Sequence, residues 1–321
     1  MIKTTPINQP QSMRLAYAEE LTLLGYERDD FIILDADTLG GTFIRLFADT
    51  FPDRHMTFGV AEQNMMSAAA GLSTTGVIPV VNTFGVFASM RSIEQYRNSI
   101  CYPNFNVKAV ISHQGIDVGP DGPTHQDIGD IGVVRSIPNT AMISPSDRIE
   151  MRHMVRWMMD HRGPVYMRTG RSPFPLVHGE DFDAYKLEVG RWPIIKKGTD
   201  ITLVSVAAAM RVALEAVDLL EKKGISAQLL NASWIKPVDE KYVAGLMAKT
   251  KGVVTIEDHN IKGGIGTLVS EILSQYHPMF VERIGLDDKF AESGEWRELY
   301  NKYGITAENV LKKTELIFKK V

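Results

Sequence analysis

Cysteine is all but absent from this sequence. Cys101 stands alone among 321 residues, so no disulfide can form within the chain, and a reducing cytoplasm suits it. An excess of one charge is lacking too. The 35 Lys and Arg nearly balance the 39 Asp and Glu, for a formal net charge of -4. Nucleic acid and anionic membrane therefore find no electrostatic hold. No apolar run approaches the roughly 20 residues that a membrane-crossing helix needs. The opening stretch, MIKTTPINQPQSMR, has no apolar signal core and reads as a polar arm. Neither a Walker lysine loop nor a Cys/His zinc spacing occurs. Internal repeats and low-complexity tracts are missing as well.

What is present is ordinary globular material. Hydrophobic residues make up 44% and charged ones 23%, ample for the two cores that a chain of this length suggests. Strand-like runs alternate with helix-period segments almost from end to end. FIILDAD (31–37), VIPVVNTF (77–84), VKAVISH (107–113), TAMIS (140–144) and PVYMRT (164–169) are continuously apolar, as in a parallel sheet covered on both faces. EQNMMSAAAGL, SMRSIEQYRNSI and RIEMRHMVRWMM read as the helices between them. For the last, Ser144-Pro145-Ser146-Asp147 supplies a start signal with Ser144 as the cap. A stretch rich in Pro, Gly and charge follows (171–200), and then the alternation resumes with ITLVSVA, RVALEAVDLLEKKG, ISAQLLNASW and VVTIEDH. A helix begins near Gly264, and the chain closes on another that Thr306 should cap. The expected fold is α/β, with two doubly wound domains. The boundaries are an arm over 1–11, a first domain over 12–175, a linker over 176–198 and a second domain over 199–321.

Several stretches could carry chemistry. In TFGVAEQNMMSAAAGLSTTG (57–76), one acid, Glu62, opens a helix of small residues. It could serve the helix dipole, worth a few tenths to about 1 kcal/mol, or be a buried acid with a proton to move. ISHQGIDVGPDGPTHQDIGD (111–130) sets His113, Asp121 and His125 in a loop stiffened by Pro and tightened by Gly. That loop should lie at the carboxyl edge of the sheet, where open α/β folds bind ligands; local hydrogen bonding is the plainer role for its acids and histidines. Phe84 and Phe87 fall on one side of a helical turn, as core or as a platform under a flat ring. Arg14 and Arg171 could each hold a phosphate, though solvated arginines are commoner. EDHNIKGGIGTLVSEI could cradle a phosphate on a helix N-terminus, but its glycines lack the dinucleotide spacing and suit close helix–strand packing equally well.

Together FGVAEQNM, NTFGVFAS, SHQGIDVGPDGPTHQ and GPVYMRTGR resemble the C-terminal half of transketolase, in the family's order and over nearly the whole chain. The GPDGPTHQ element favours transketolase over the β subunits of 2-oxoacid dehydrogenase E1 components. Deoxyxylulose-phosphate synthases carry a similar DGPTH and stay an alternative. A non-catalytic regulatory or scaffold subunit that kept the fold is another. The resemblance implies a pyrimidine-binding domain followed by a transketolase C-terminal domain. It also implies a thiamine-diphosphate enzyme that transfers a two-carbon ketol group from a ketose phosphate to an aldose, within carbohydrate metabolism of the pentose phosphate type.

The family's Gly-Asp-Gly…Asn motif for the diphosphate and metal does not occur. The chain thus looks like one subunit of a split transketolase, inactive alone. A separate N-terminal subunit would supply the diphosphate site and its Mg²⁺ or Ca²⁺, so this chain would hold no metal, and an α₂β₂ heterotetramer is expected. By the same correspondence Glu62 would hydrogen-bond the pyrimidine N1′ and favour the tautomer that deprotonates the thiazolium. Phe87 would stack on the pyrimidine with Phe84 close by, and Asp37 would lie on the thiazolium side. His113 and Asp121 would contact the sugar's phosphate and hydroxyl groups, His125 the reacting carbons, and Arg14 and Arg171 the phosphate. Met90 stands where many members have a tyrosine. Gly41 stands where a phosphate-contacting serine often sits, with Thr42 beside it.

Overall fold

A computed structural model describes residues 11–179 and 181–321. Most of the expected arm, residues 1–10, lies outside the described residues. The first part of the chain contributes β1 (Gln11–Ser12), β2 (Phe31–Asp35), β3 (His55–Thr57), β4 (Ile78–Phe84), β5 (Lys108–Ser112), β6 (Ala141–Ile143), β7 (Val165–Thr169) and β8 (Pro173–Phe174). The rest contributes β9 (Ile194–Lys196), β10 (Ile201–Ser205), β11 (Ala227–Asn231), β12 (Trp234–Lys236), β13 (Val253–Asn260) and β14 (Val281–Leu286).

Two mostly parallel sheets result. The first has seven strands in the order β12-β6-β7-β5-β4-β2-β3, and the second has five in the order β14-β13-β10-β11-β9. The two-domain α/β expectation holds. Its reason is visible in β5 and β7, which are buried at every position, so continuously apolar runs are what such strands require. Helices such as Glu62–Ser73, Arg148–Asp160 and Met210–Lys222 cover the faces.

Four local expectations need correction. The helix Arg148–Asp160 starts later than Ser144 would have it. Asp147 is the cap and accepts from the Glu150 amide at 2.9 Å, while Glu150 reaches back to the Ser146 amide at 2.8 Å. Asp147 is extended, at φ -151° and ψ 176°, and so takes the cap's place three residues beyond Ser144. SMRSIEQYRNSI is not one α-helix: π turns at Phe87–Arg91 and Tyr96–Cys101 flank a single α turn at Ile93–Gln95. The stretch taken as linker carries β9, an antiparallel edge strand on β11. Finally, β12, just after β11 in ISAQLLNASW, crosses over and pairs antiparallel with β6 of the first sheet. Trp234 is fully buried there, and its carbonyl accepts from Trp192 Nε1 at 2.7 Å.

The Gly-rich turn after β13 also resolves to one of its two readings. Glu257, fully buried, accepts from the Ile265 amide at 2.7 Å and the Gly266 amide at 3.0 Å. The chain's own carboxylate thus fills the helix N-terminus where a phosphate would sit. A Cβ at Gly264 would lie 1.8 Å from Glu257 Oε2, so the glycine serves close packing. Gly264→Ala is expected to cost about 1–3 kcal/mol through overpacking, seen as a lower urea midpoint. Burial pushes the Glu257 carboxyl up to about 7 despite those two donors.

Candidate functional site

The carboxyl ends of β2, β4, β5 and β7 converge on one edge of the first sheet, and the chain places most of the expected residues there. Glu62 opens the helix Glu62–Ser73 and is only 1% exposed. A buried carboxylate needs a partner, and Arg91 Nη1 donates to its Oε2 at 2.9 Å. The Arg91 guanidinium also lies 4.5 Å over the Phe87 ring. Phe87 and Phe84 stack with centroids 6.0 Å apart. The ring of His125 sits 5.3 Å from Phe87 and 6.2 Å from Phe84.

From Phe84 the contacts continue into the loop after β5. His113 lies 3.9 Å from the Phe84 centroid, at a left-handed φ of 65°, and its Nε2 is 3.9 Å from Asp121 Oδ2. Asp121 in turn pairs with Arg171 Nε at 3.4 Å. The Arg171 carbonyl accepts from Arg14 Nη2 at 2.7 Å, and Arg14 Nη1 donates to the Gly41 carbonyl. Eight of the nine expected site residues therefore form one run of contacts: Arg14, Arg171, Asp121, His113, Phe84, His125 and Phe87, then, through Arg91, Glu62. Asp37 stays outside it, exposed at φ 61° on the loop beyond β2.

Two electrostatic features mark the far end of this run. Arg14 makes its hydrogen bonds to carbonyls, and its Nε is buried and unpaired among the described residues. Burial and the neighbouring Arg171 lower it to about 10. A cation so placed suits an incoming oxyanion. His113 is pushed down to about 3 by burial, and then by Arg14, Arg171 and His125. Its ring is thus a neutral donor or acceptor. Because only the unfolded chain protonates this residue between its ordinary 6.5 and about 3, its contribution to stability is full above that window and shrinks as pH falls through it. The His113 ring resonances are expected to stay fixed from pH 8 to about 5 in NMR spectra of the histidine-labelled chain.

Gly41 has a structural reason. A Cβ there would lie 2.6 Å from Phe84 Cζ, so the ring that meets His113 occupies the space of a side chain. Thr42 does not substitute for a missing serine: it is buried and its hydroxyl donates to the Thr38 carbonyl at 2.9 Å. Met90 is half exposed and lines a cavity of about 410 Å³ with Pro123, Gln126, Lys262 and Phe290.

Comparisons with known proteins place the chain in a family. The description "Transketolase, pyrimidine binding domain" matches residues 9–175, and "Transketolase, C-terminal domain" matches residues 190–310. The chain belongs to the transketolase family. It is 39% identical, over 94% of its length and 95% of the relative's, to a putative transketolase C-terminal section of Methanocaldococcus jannaschii. It is 33% identical to the 6-deoxy-6-sulfo-D-fructose transketolase subunit of a Clostridium species, covering 95% of this chain and 96% of that one. A 1-deoxy-D-xylulose-5-phosphate synthase of Bacillus cereus shares 35% identity over 84% of this chain but 43% of its own. Among solved structures, a split-gene transketolase in an inactive β4 tetramer superposes with a TM-score of 0.88 at 39% identity, over 96% of this chain and 98% of that one. The Campylobacter jejuni transketolase, at 20% identity and a TM-score of 0.78, over 96% of this chain and 47% of that one, shares the fold.

A transketolase pyrimidine-binding domain implies thiamine diphosphate. The residues present fit that group. An aminopyrimidine needs an acid at a ring nitrogen and flat apolar walls, and the buried Glu62 carboxyl with Phe84 and Phe87 offers both. Arg91 is the site residue that sequence reasoning missed. The signal was available: a buried acid calls for a cation, and Arg91 stands in the segment after Phe87. Arg91 ends the π turn Phe87–Arg91 and meets Glu62 from there.

Proposed function

We propose that this chain is the C-terminal subunit of a thiamine-diphosphate-dependent transketolase. It moves a two-carbon ketol group from a ketose phosphate to an aldose, with a separate N-terminal-half subunit supplying the diphosphate and Mg²⁺ site. Residues 12–175 would form its pyrimidine domain and 199–321 its C-terminal domain, in an α₂β₂ assembly. The observation that carries this reading is the unbroken run from the buried acid Glu62 through Phe87, His125 and His113 to the arginine pair. It joins a buried carboxyl group at one end to an arginine pair suited to an oxyanion at the other.

When bound, thiamine diphosphate supplies a nucleophilic carbon for breaking the bond beside a ketone carbonyl. The protein's part is orientation and proton handling. Glu62 would hydrogen-bond the pyrimidine nitrogen, and Phe87 with Phe84 would flank the ring. Asp37 would lie toward the thiazolium side. His125 stands at the reacting carbons, with neutral His113 and Asp121 ordering the hydroxyl groups. Arg14 and Arg171 hold the terminal oxyanion, which places the carbonyl for reaction as well as binding it. Exposed Met56, Val60 and Met90 leave apolar surface around Glu62 and Phe87 for a partner chain to cover. The inactive β4 assembly of the split-gene relative supports the need for one.

The test is co-expression with an N-terminal-half partner, followed by a donor and acceptor screen with thiamine diphosphate and Mg²⁺. Sugar phosphates and a sulfonated ketose both belong in it, the latter because of the Clostridium relative's name. Ketol transfer that requires both chains is the expected outcome. Release of CO₂ from pyruvate without ketol transfer would move the chain to the synthase or dehydrogenase chemistry instead. Turnover that persists without this chain would leave it a scaffold.

A further inference from the structure

The loop that carries His113, Asp121 and His125 belongs to the first sheet in sequence but is built onto the second in space. Ile116 buries its side chain fully in the hydrophobic core of the second sheet. Beside it, near the end of β13, Asp258 turns both carboxylate oxygens to the loop. Oδ1 accepts from the Ile116 amide at 2.7 Å and Oδ2 from the Asp117 amide at 2.9 Å. Two adjacent amides on one carboxylate make a fixed, charge-assisted fork. Gly115 makes the approach possible: it sits at φ +72°, and a Cβ there would fall 2.1 Å from Asp258 Oδ2.

The grip is then passed to the arginines. Asp117, fully buried, accepts with Oδ2 from the Arg171 amide at 3.1 Å and the Ser172 amide at 2.9 Å. Its Oδ1 takes Arg211 Nη1 at 2.8 Å. The Arg171 carbonyl is the acceptor that Arg14 Nη2 uses. At its other end the loop is tied to the same second half of the chain. Gln126 Nε2 donates to the Glu292 carbonyl and the Asn260 amide to the Ile128 carbonyl, both at 3.0 Å. Asp121 and His125 lie between these two anchors, and His113 just ahead of the first.

We propose that Asp258 is a positioning residue for the oxyanion end of the site. From the second domain it fixes the loop of His113 and Asp121, and through Asp117 the pair Arg14 and Arg171, without meeting substrate itself. This deepens the function proposed above and rests on it.

Asp258→Asn keeps the size of the side chain but turns one acceptor into a donor facing an amide. In the chain assembled with its N-terminal partner, KM for D-ribose 5-phosphate is expected to rise about tenfold while kcat falls less than about threefold. KM for glycolaldehyde, which has no phosphate, and half-saturation by thiamine diphosphate should hold at wild-type values. Gly115→Ala attacks the same contact from the loop side. It should reproduce the effect, and the double variant should add little to either single one. Calorimetric binding of D-ribose 5-phosphate needs no turnover and should weaken about tenfold in step. Unchanged sugar-phosphate binding in Asp258→Asn would overturn the proposal, as would equal KM increases for both acceptors. A wild-type assembly that binds the sugar phosphate, loses it in the variant and yet transfers no ketol group would support the clamp and sink the reaction.

Discussion

Replacing Glu62 by glutamine is expected to lower turnover of the assembled enzyme by about two to four orders of magnitude, the usual worth of a positioned acid or base. That corresponds to about 3–5 kcal/mol of transition-state stabilisation. The chain should stay folded. Glutamine matches the shape, and its carbonyl can still accept from Arg91 Nη1, which now bonds Glu62 at 2.9 Å. The pair is also cheap to weaken, because the Arg91 side chain is 47% exposed and can turn to water. Glutamine cannot, however, exchange a proton with a ring nitrogen. The steady-state rate with saturating coenzyme and an unchanged thermal midpoint together check this. Glu62→Ala should cost as much activity, while near-normal activity in either variant removes Glu62 from its role.

The second large effect concerns stability. Asp130 and Arg168 form a fully internal ion pair: Arg168 Nε donates to Oδ2 at 2.6 Å and Nη2 to Oδ1 at 3.1 Å, with both residues buried. Arg168 is on β7, and Asp130 opens the helix Asp130–Arg135 that follows the loop of His113, Asp121 and His125. His259 Nε2 of the second domain lies 3.7 Å from Asp130 Oδ1 and accepts from the Ile131 amide at 3.3 Å. Burial holds this imidazole neutral, down to about 4, although Asp130 favours the charged form. It cannot replace the lost carboxylate as a partner. Asp130→Ala strands a buried guanidinium and is expected to cost about 3–5 kcal/mol, read as a lower urea midpoint. Replacing both partners by apolar residues of similar volume should recover most of that loss. A single variant as stable as the parent would contradict the stranded charge.

Much of this was legible in the sequence, for reasons that differ from element to element. β4, β5 and β7 are covered on both faces, so their composition alone announces them. Thr306 caps the last helix by accepting from the Asn309 amide, as its place before Ala307 suggests. Glu62 stood out because an acid before a run of small residues is unusual, and it proves to be buried and paired with Arg91. What stayed hidden depends on distance along the chain. Asp258 meets Ile116 across 142 residues, a pairing that no local pattern encodes. β12 reads as a continuation of β11 until the bend at Ala232 and Ser233 sends it to the other sheet. The π turns lack a residue signature altogether and emerge from packing.

One measurement reaches the centre of the account without needing the natural sugars. It is the rate at which the C2 proton of bound thiamine diphosphate exchanges with deuterated water in the complex of this chain and its N-terminal partner, followed by proton NMR after acid quench. With Glu62 in place, exchange should be faster than for the free coenzyme. With Glu62→Gln it should fall by about two orders of magnitude or more, with the coenzyme still bound. Equal exchange rates in the two complexes would contradict the role assigned to Glu62, and with it the reading of the whole site.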